Sequence, residues 1–441
     1  MATLLPQPSP APPTGTLTSS RRFALPGRSF WVIAHRWAGL TLALFLAVAG
    51  TTGSFLPWIE ELEAATAPHL HNSQWQGMAD PLRVREEVVQ RYPGSTVEFL
   101  PLTIEPGKAI RLYLQWPDAK TGLPREHGTA GVPDWDDLFL NPVTGEEQGR
   151  RQWGAIDQGV KNLMPFLYRL HYSLALDDVG LFIFGLAAIL WTVDCFVGFY
   201  LTLPPKAPKP LGQRPAPPFF ARWKPSWRVR WKSTSYKLNF DLHRAGGLWV
   251  WPLLLVFAWS SVSFNLPQVH GPVMAMFGAQ DPAAVFTQTM LAAPRNNPKL
   301  DFRAATALGE KLAEQEATRH GLAVLSSGER WIWHVPASGL YVYGFTTRAD
   351  ISHHGGDTRV AFDSNTGALK AVEIPTGVNG ANTFNNWLMA LHTAHVFGLP
   401  YRVFVTVLGL LVTMLSVTGV VIWLKKRSAR AGRALRIKSA R

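Results

Sequence analysis

Four apolar runs punctuate a chain that is otherwise mixed in character: about Phe30–Trp58, Val179–Leu203, Leu248–Leu266 and Val403–Leu424. At ~1.5 Å per helical residue, each is long enough to cross a hydrocarbon core of roughly 30 Å. A segment of different period lies between the first two runs, about Ile59–Pro165, and another between the last two, about Pro267–Asn386. The first reads as an amphipathic helix over Pro81–Arg91, then strands at Thr96–Leu102, Ile110–Trp116 and Asp137–Asn141. The second repeats that plan, with a helix over Phe302–Arg319 and strands at Arg330–Val335, Leu340–Thr346 and Arg359–Asp363. Turn signals stand at Val143-Thr144-Gly145-Glu146 and Asn365-Thr366-Gly367-Ala368.

The pattern is doubled in detail. His35-Arg36-Trp37-Ala38-Gly39-Leu40 returns as His243-Arg244-Ala245-Gly246-Gly247-Leu248, 208 residues on. Leu170-His171 returns as Leu391-His392 at an offset of 221, which Gly198 and Gly419 also keep. A parallel duplication with a pseudo-two-fold axis along the membrane normal is expected. The fold class predicted is therefore an α-helical membrane protein with four transmembrane helices in two parallel repeats and two external α+β domains. The expected order is a disordered tail (1–29), a span (30–58), a domain (59–165), a span (166–203) and a basic loop (204–240). A third span (241–266), the second domain (267–386), a fourth span (387–424) and a basic tail (425–441) follow.

Charge fixes an orientation. The net charge is +13, but twenty basic residues lie before Ser29, in Leu203–Phe240 and in Lys425–Arg441, stretches without a single acid. The remainder holds 23 basic against 30 acidic residues. This positive-inside pattern puts both termini and the middle loop in the cytoplasm and the two domains outside. It argues for anionic lipid as the partner and against nucleic acid. Arg21-Arg22 faintly resembles a twin-arginine signal, but the run behind it is long and lacks a small-residue cleavage site, so the first span is read as uncleaved. The single cysteine, Cys195, excludes an internal disulfide framework, a c-type haem site, an iron–sulfur cluster and a thiolate zinc site.

The HRWAGL and DLHRAGG helix starts, the LHTAHVFGLPYR-to-TGVVIWLKKR final run, and the segments ending in NPVTGE and DSNTGA resemble the PepSY-associated transmembrane helix family over roughly Phe30–Arg427. Ala394 and Tyr401 stand where that family often carries Gly, and Asp241 lacks a counterpart before His35. The resemblance implies a four-span, di-haem, inner-membrane protein with two periplasmic PepSY domains, akin to ferric-siderophore reductases.

The histidines suit that chemistry. Neutral imidazoles on both faces of a b-type haem give a six-coordinate iron that shuttles electrons without binding small molecules. Depth and symmetry pair His35 with His243 and His171 with His392, as axial ligands of two haems. Arg36 and Arg244 stand beside the first pair, where guanidinium groups neutralise propionates. His395, three residues after His392, reads as lying on the same helical face nearly a turn deeper, as a haem-edge contact or a substitute ligand. His171 precedes Val179 by eight residues, which places it ~12 Å outside the apolar run and separates the irons by more than ~30 Å. Trp191, Trp249, Trp251 and Trp259 are candidate bridges.

Asp194 is an acid inside an apolar run, expected to reach Arg36, Arg244 or a propionate, or else to make a helix-packing hydrogen bond. His69, His71, His127, His270, His320, His334, His353 and His354 are scattered outside; His69-x-His71 and His353-His354 are the pairs able to meet an iron chelate. Trp223, Trp227 and Trp231, interleaved with cations over Arg222–Lys237, read as an amphipathic segment on the inner leaflet, alternatively a redox-partner dock. No dinucleotide, Walker, nucleophile-elbow or HExxH motif is present, so electrons are expected from a quinol or a cytoplasmic reductase. The expected function is transmembrane electron transfer to a periplasmic ferric siderophore or other iron(III) chelate, with release of Fe²⁺. The alternatives are a haem-free PepSY scaffold that binds peptides or a protease, and a histidine-lined metal transporter.

Overall fold

The first apolar run forms one unbroken helix, α1 (Arg28–Gly53), whose 3₁₀ continuation at Leu56–Trp58 leads into α2 (Ile59–Thr66) and α3 (Pro68–His71). The computed structural model describes residues 27–118, 120–205, 217–352 and 355–439. The tail over residues 1–26, residues 206–216 of the basic loop, and His353-His354 lie outside the described residues.

Helix α4 (Pro81–Arg91) starts where Asp80 accepts from the Arg83 amide at 3.0 Å and Pro81 fills the first turn. It buries Val84 and Val88. Strands β1 (Phe99–Pro101), β2 (Ile110–Tyr113), β3 (Asp137–Leu140) and β4 (Glu147–Arg151) follow, then α5 (Leu163–Ser173) and the spanning α6 (Asp177–Thr202). The second half begins with the short α7 (Phe219–Trp223), then α8 (Ser235–Trp249), α9 (Trp251–Asn265), α10 (Pro267–Ala275), α11 (Ala284–Gln288) and α12 (Phe302–Arg319). Asp301 caps α12 by accepting from the Ala304 amide at 2.7 Å. Strands β5 (Arg330–Val335), β6 (Leu340–Phe345), β7 (Thr358–Asp363) and β8 (Leu369–Glu373) precede α13 (Gly380–Thr393) and the long α14 (Gly398–Ser439).

Three helical stretches are long and apolar enough to cross a membrane, at 28–66, 177–202 and 398–432; α8 with α9 makes a fourth if the bent pair is one span. That pair departs from the continuous third span expected, because it bends by 71° at Val250. The cause is Pro252, which cannot donate to a carbonyl one turn back and whose ring clashes with it. Helix α1 packs along α14 and α6 along α9. Gly50 and Gly409 allow the first crossing: a Cβ on Gly50 would lie 2.7 Å from the Gly409 carbonyl oxygen. Ala258 and Ala188, both buried, occupy the positions 208 after Gly50 and 221 before Gly409 at the second crossing.

The second and fourth spans expected, 166–203 and 387–424, are also each broken. Helix α5 ends where Leu174 and Ala175 adopt left-handed φ of 55° and 56°, and α13 ends at Ala394 with φ 59°. Both short helices fold back against the bundle. His395 therefore lies past the end of α13, so the helical i, i+3 relation to His392 does not hold.

The α+β segments are joined rather than separate. β1, from the first segment, pairs antiparallel with β5, from the second, placing Leu100 opposite Ile332 in a five-stranded sheet ordered β1-β5-β6-β7-β8. β2-β3-β4 form the smaller sheet. One apolar core runs through both, from Val84 and Leu112 to Phe302 and Phe362. The turns recur closely: Asn141 accepts from the Val143 and Thr144 amides, Asp363 from those of Asn365 and Thr366, and Gly145 and Gly367 follow with φ of 72° and 73°.

Candidate functional site

Four histidines meet in two pairs inside the bundle. His35 on α1 faces His243 on α8, with ring centres 6.1 Å apart and planes at 54°. This inner pair lies toward the polybasic ends. His171 on α5 faces His392 on α13, with ring centres 6.3 Å apart and planes at 76°. This outer pair lies toward the lobes.

Every Nδ1 is committed. His35 Nδ1 donates to Asp194 Oδ1 at 2.9 Å, and His243 Nδ1 to the Leu415 carbonyl at 3.0 Å. His171 Nδ1 donates to the Ala49 carbonyl at 3.1 Å, with Thr52 Oγ1 equally close. His392 Nδ1 lies 2.6 Å from Ser260 Oγ, whose own proton is given to the Val256 carbonyl, so the imidazole is again the donor. Fixing Nδ1–H leaves Nε2 as the free lone pair on all four rings. None of the four Nε2 atoms has a hydrogen-bond partner among the described residues.

The surroundings repeat as the ligand positions do. A Cβ on Gly198 would sit 3.4 Å from His35 Cε1, and one on Gly419 3.3 Å from His243 Cε1. Thr52 and Ser260, the hydroxyls at the outer pair, are 208 residues apart. Sequence reasoning passed over them because they stand within apolar runs. The same offset that marks His35 and His243 would have found them.

A cavity of about 520 Å³ opens between the inner histidines. Its wall is apolar, with Leu42, Trp191, Leu254 and Val412, while Arg28, Arg36, Arg244, Lys426 and Arg430 supply cations. The Nε atoms of Arg36 and Arg244 are buried without partners. Arg244 also donates to Asp241, a buried acid that ties down Arg230 of the basic loop at 2.6 Å. Asp194 binds His35 rather than an arginine.

The separation of the pairs is smaller than their sequence positions imply. The fold-back of α5 sets His171 beside Ala49–Gly53, inside the apolar length of α1. Measured along α1 from His35, that is about 21–27 Å rather than more than 30 Å. Of the candidate bridging tryptophans, Trp191 and Trp251 line the inner cavity. Trp249 donates to the Trp227 carbonyl, and Trp259 packs against His270 with centres 5.0 Å apart and planes tilted by 39°.

The histidines outside the bundle do not gather among the described residues. His71 lies 3.9 Å from Glu63, His127 lies 3.2 Å from Asp136, and His334 is buried against Tyr341. Burial pushes the Asp357 carboxyl above its usual range, with Arg359 and the nearby His395 acting against the rise. Among the described residues no three His, Cys, Asp or Glu side chains come together as a metal-holding group. Over Arg222–Lys237 the chain is not one helix: α7 ends at Trp223 and the chain tightens to a 3₁₀ turn at Lys224–Trp227 that contains Pro225.

A family model for the PepSY-associated TM region matches residues 32–426. The chain belongs to that family and is a membrane protein. A comparison with curated proteins gave no match.

The paired imidazoles fit an iron that brings its own equatorial ligands. Two metal–nitrogen bonds of ~2 Å, each with ~1 Å more to a ring centre, set ring centres about 6 Å apart. The 6.1 and 6.3 Å separations meet that requirement, and the cavity of about 520 Å³ falls in the range of cofactor pockets.

Proposed function

We propose that this chain is a transmembrane electron conduit that holds two b-type haems and reduces an iron(III) chelate at the lobes. His35 and His243 would hold one haem and His171 and His392 the other, with Arg36 and Arg244 beside the inner propionates. Haem gripped by two imidazoles supplies an iron that changes oxidation state by one electron. The residues do the remainder. Nδ1 hydrogen bonds hold each ring in the tautomer that presents Nε2, and the apolar wall around Trp191 excludes water.

The observation that carries this reading is the pairing itself, ring centres 6.1 and 6.3 Å apart with four Nδ1 donors engaged. Pairs without a third protein ligand suit haem better than a bare-ion pathway. The contacts recurring at offsets of 208 and 221 support a chain built of two parallel repeats. Polybasic segments flanking the spans support an inner-membrane orientation with cytoplasmic termini and periplasmic lobes. A quinol or a cytoplasmic reductase then donates, and a ferric siderophore or similar chelate accepts. One electron converts Fe³⁺ to Fe²⁺, which hard oxygen ligands hold far less tightly.

The test is the dithionite-reduced spectrum and haem content of the purified full chain. Two haems b per chain are expected, halved by His35→Ala or His392→Ala. A folded, colourless wild-type protein overturns the reading.

A further inference from the structure

The two pairs differ in one respect that symmetry does not explain. Three of the four imidazoles donate to neutral acceptors: the Leu415 carbonyl, the Ala49 carbonyl with the Thr52 hydroxyl, and the Ser260 hydroxyl. His35 alone donates to a carboxylate, Asp194 Oδ1 at 2.9 Å. The position 221 residues after Asp194 is Leu415, whose side chain cannot accept and whose backbone oxygen takes the bond instead. A carbonyl is therefore sufficient to orient such a ring. Asp194 is 9% exposed in an apolar helix, where an acid is costly to keep without a role beyond orientation.

A carboxylate bonded to Nδ1–H raises the basicity of the ligating nitrogen and stabilises the more positive metal state. Arg28, Arg36, Arg244, Lys426 and Arg430 oppose it across the same cavity. They lie where haem propionates would neutralise them, and Arg244 is already engaged with Asp241 at 3.0 Å. No charged side chain hydrogen-bonds to His171 or His392 among the described residues.

We propose that Asp194 sets the two sites apart: its hydrogen bond to His35 holds the inner iron at the lower reduction potential, making electron flow from the polybasic end toward the lobes downhill. Asp194 is thus a positioning residue that gives the conduit a direction. The inference rests on the haem reading and is separable from it.

The experiment is a potentiometric titration of the purified full-length protein, followed in the visible spectrum. Two one-electron transitions are expected, and in His392→Ala, which leaves only the inner site, the lower one should persist. Asp194→Asn should raise the lower transition by at least tenfold in reduced-to-oxidised ratio, ~59 mV, and leave the upper in place. Asp194→Glu should stay near wild type. Haem content near two per chain in Asp194→Asn checks that the fold is retained. If that variant loses the inner haem, Asp194→Glu decides: two distinct potentials support the proposal and coincident ones overturn it. Potentials unmoved by Asp194→Asn, or a lower transition that belongs to the outer site, also overturn it. A colourless wild type overturns the conduit reading itself.

Discussion

Ser260 Oγ and His392 Nδ1 lie 2.6 Å apart, and the serine proton goes to the Val256 carbonyl, so a single hydroxyl fixes the tautomer of this outer imidazole. His171 is held differently, by the Ala49 carbonyl and the Thr52 hydroxyl together, at 3.1 Å each. The two substitutions that remove these hydroxyls are therefore unequal. Ser260→Ala leaves a buried donor unmatched, at a cost of about 1–3 kcal/mol, and, with haem held as proposed above, should weaken its retention by roughly 10–100-fold. Thr52→Ala leaves the Ala49 carbonyl in place and costs less. Haem loss to a competing apo-acceptor, timed for both variants, checks the order; equal rates would refute it.

Gly198 and Gly419 set the space behind the inner rings. A Cβ at 3.3–3.4 Å is tight but tolerable, so Gly198→Ala and Gly419→Ala should keep both haems. A branched side chain has no such room. Gly198→Val and Gly419→Val should each displace one inner imidazole, halving haem content while leaving the outer site spectrally intact. Loss of the outer signal instead would show that the two sites are not packed independently.

The joined lobe carries an acid-sensitive histidine. Burial holds His334 down from 6.5 to about 4, and the charges of Arg85 and Arg295 add to the effect. Its neutral form is the native one. In the unfolded chain it takes a proton as pH falls through 6.5, while in the folded lobe it resists until about 4. Stability from this group is complete above pH 6.5 and declines as pH drops toward 4, by on the order of 3 kcal/mol over the whole window. His334→Phe, which keeps a ring against Tyr341, should flatten the fall in thermal midpoint between pH 7 and pH 4.5. A variant that tracks the wild-type curve would assign the sensitivity elsewhere.

How much of this was legible depended on whether the determining signal was local. The helices Pro81–Arg91 and Phe302–Arg319 match their expected bounds because Asp80 and Asp301 cap them and apolar spacing fills them. The Asn141 and Asp363 turns were legible for the same reason. The fold-back of α5 and α13 was not, since Leu174, Ala175 and Ala394 take left-handed φ without the glycine that normally advertises it. The kink at Val250 was legible in Pro252 but lost in the hydrophobicity of its surroundings. The pairing of β1 with β5 joins residues more than 200 apart, which no window on the chain can register. Asp194 was singled out as costly, but its partner depended on how α1 and α6 cross.

The contact between lobe and bundle rests on a buried charge cluster that gives the last prediction. Arg151 is fully buried and bridges Asp137 Oδ2 at 3.0 Å and Glu63 Oε1 at 2.8 Å, while Arg111 takes the other Asp137 oxygen at 2.9 Å. Glu63 belongs to α2, the continuation of the first span, and Asp137 and Arg151 to β3 and β4. The arginine thus pins the smaller sheet to the helix that leads out of the bundle. Arg151→Met fills the volume but leaves the half-buried Glu63 without its arginine and the buried Asp137 with Arg111 alone, and breaking such a cluster from one side costs up to about 3–5 kcal/mol. The triple variant Arg151→Met, Asp137→Leu, Glu63→Leu removes the carboxylates as well, frees only the partly exposed Arg111, and should recover most of that loss. Protease sensitivity of β2-β3-β4 should rise in the single variant and fall back in the triple one, with the spectrum of the histidine pairs unchanged in both. If the single variant is as resistant as wild type, the cluster is not what fastens the lobe.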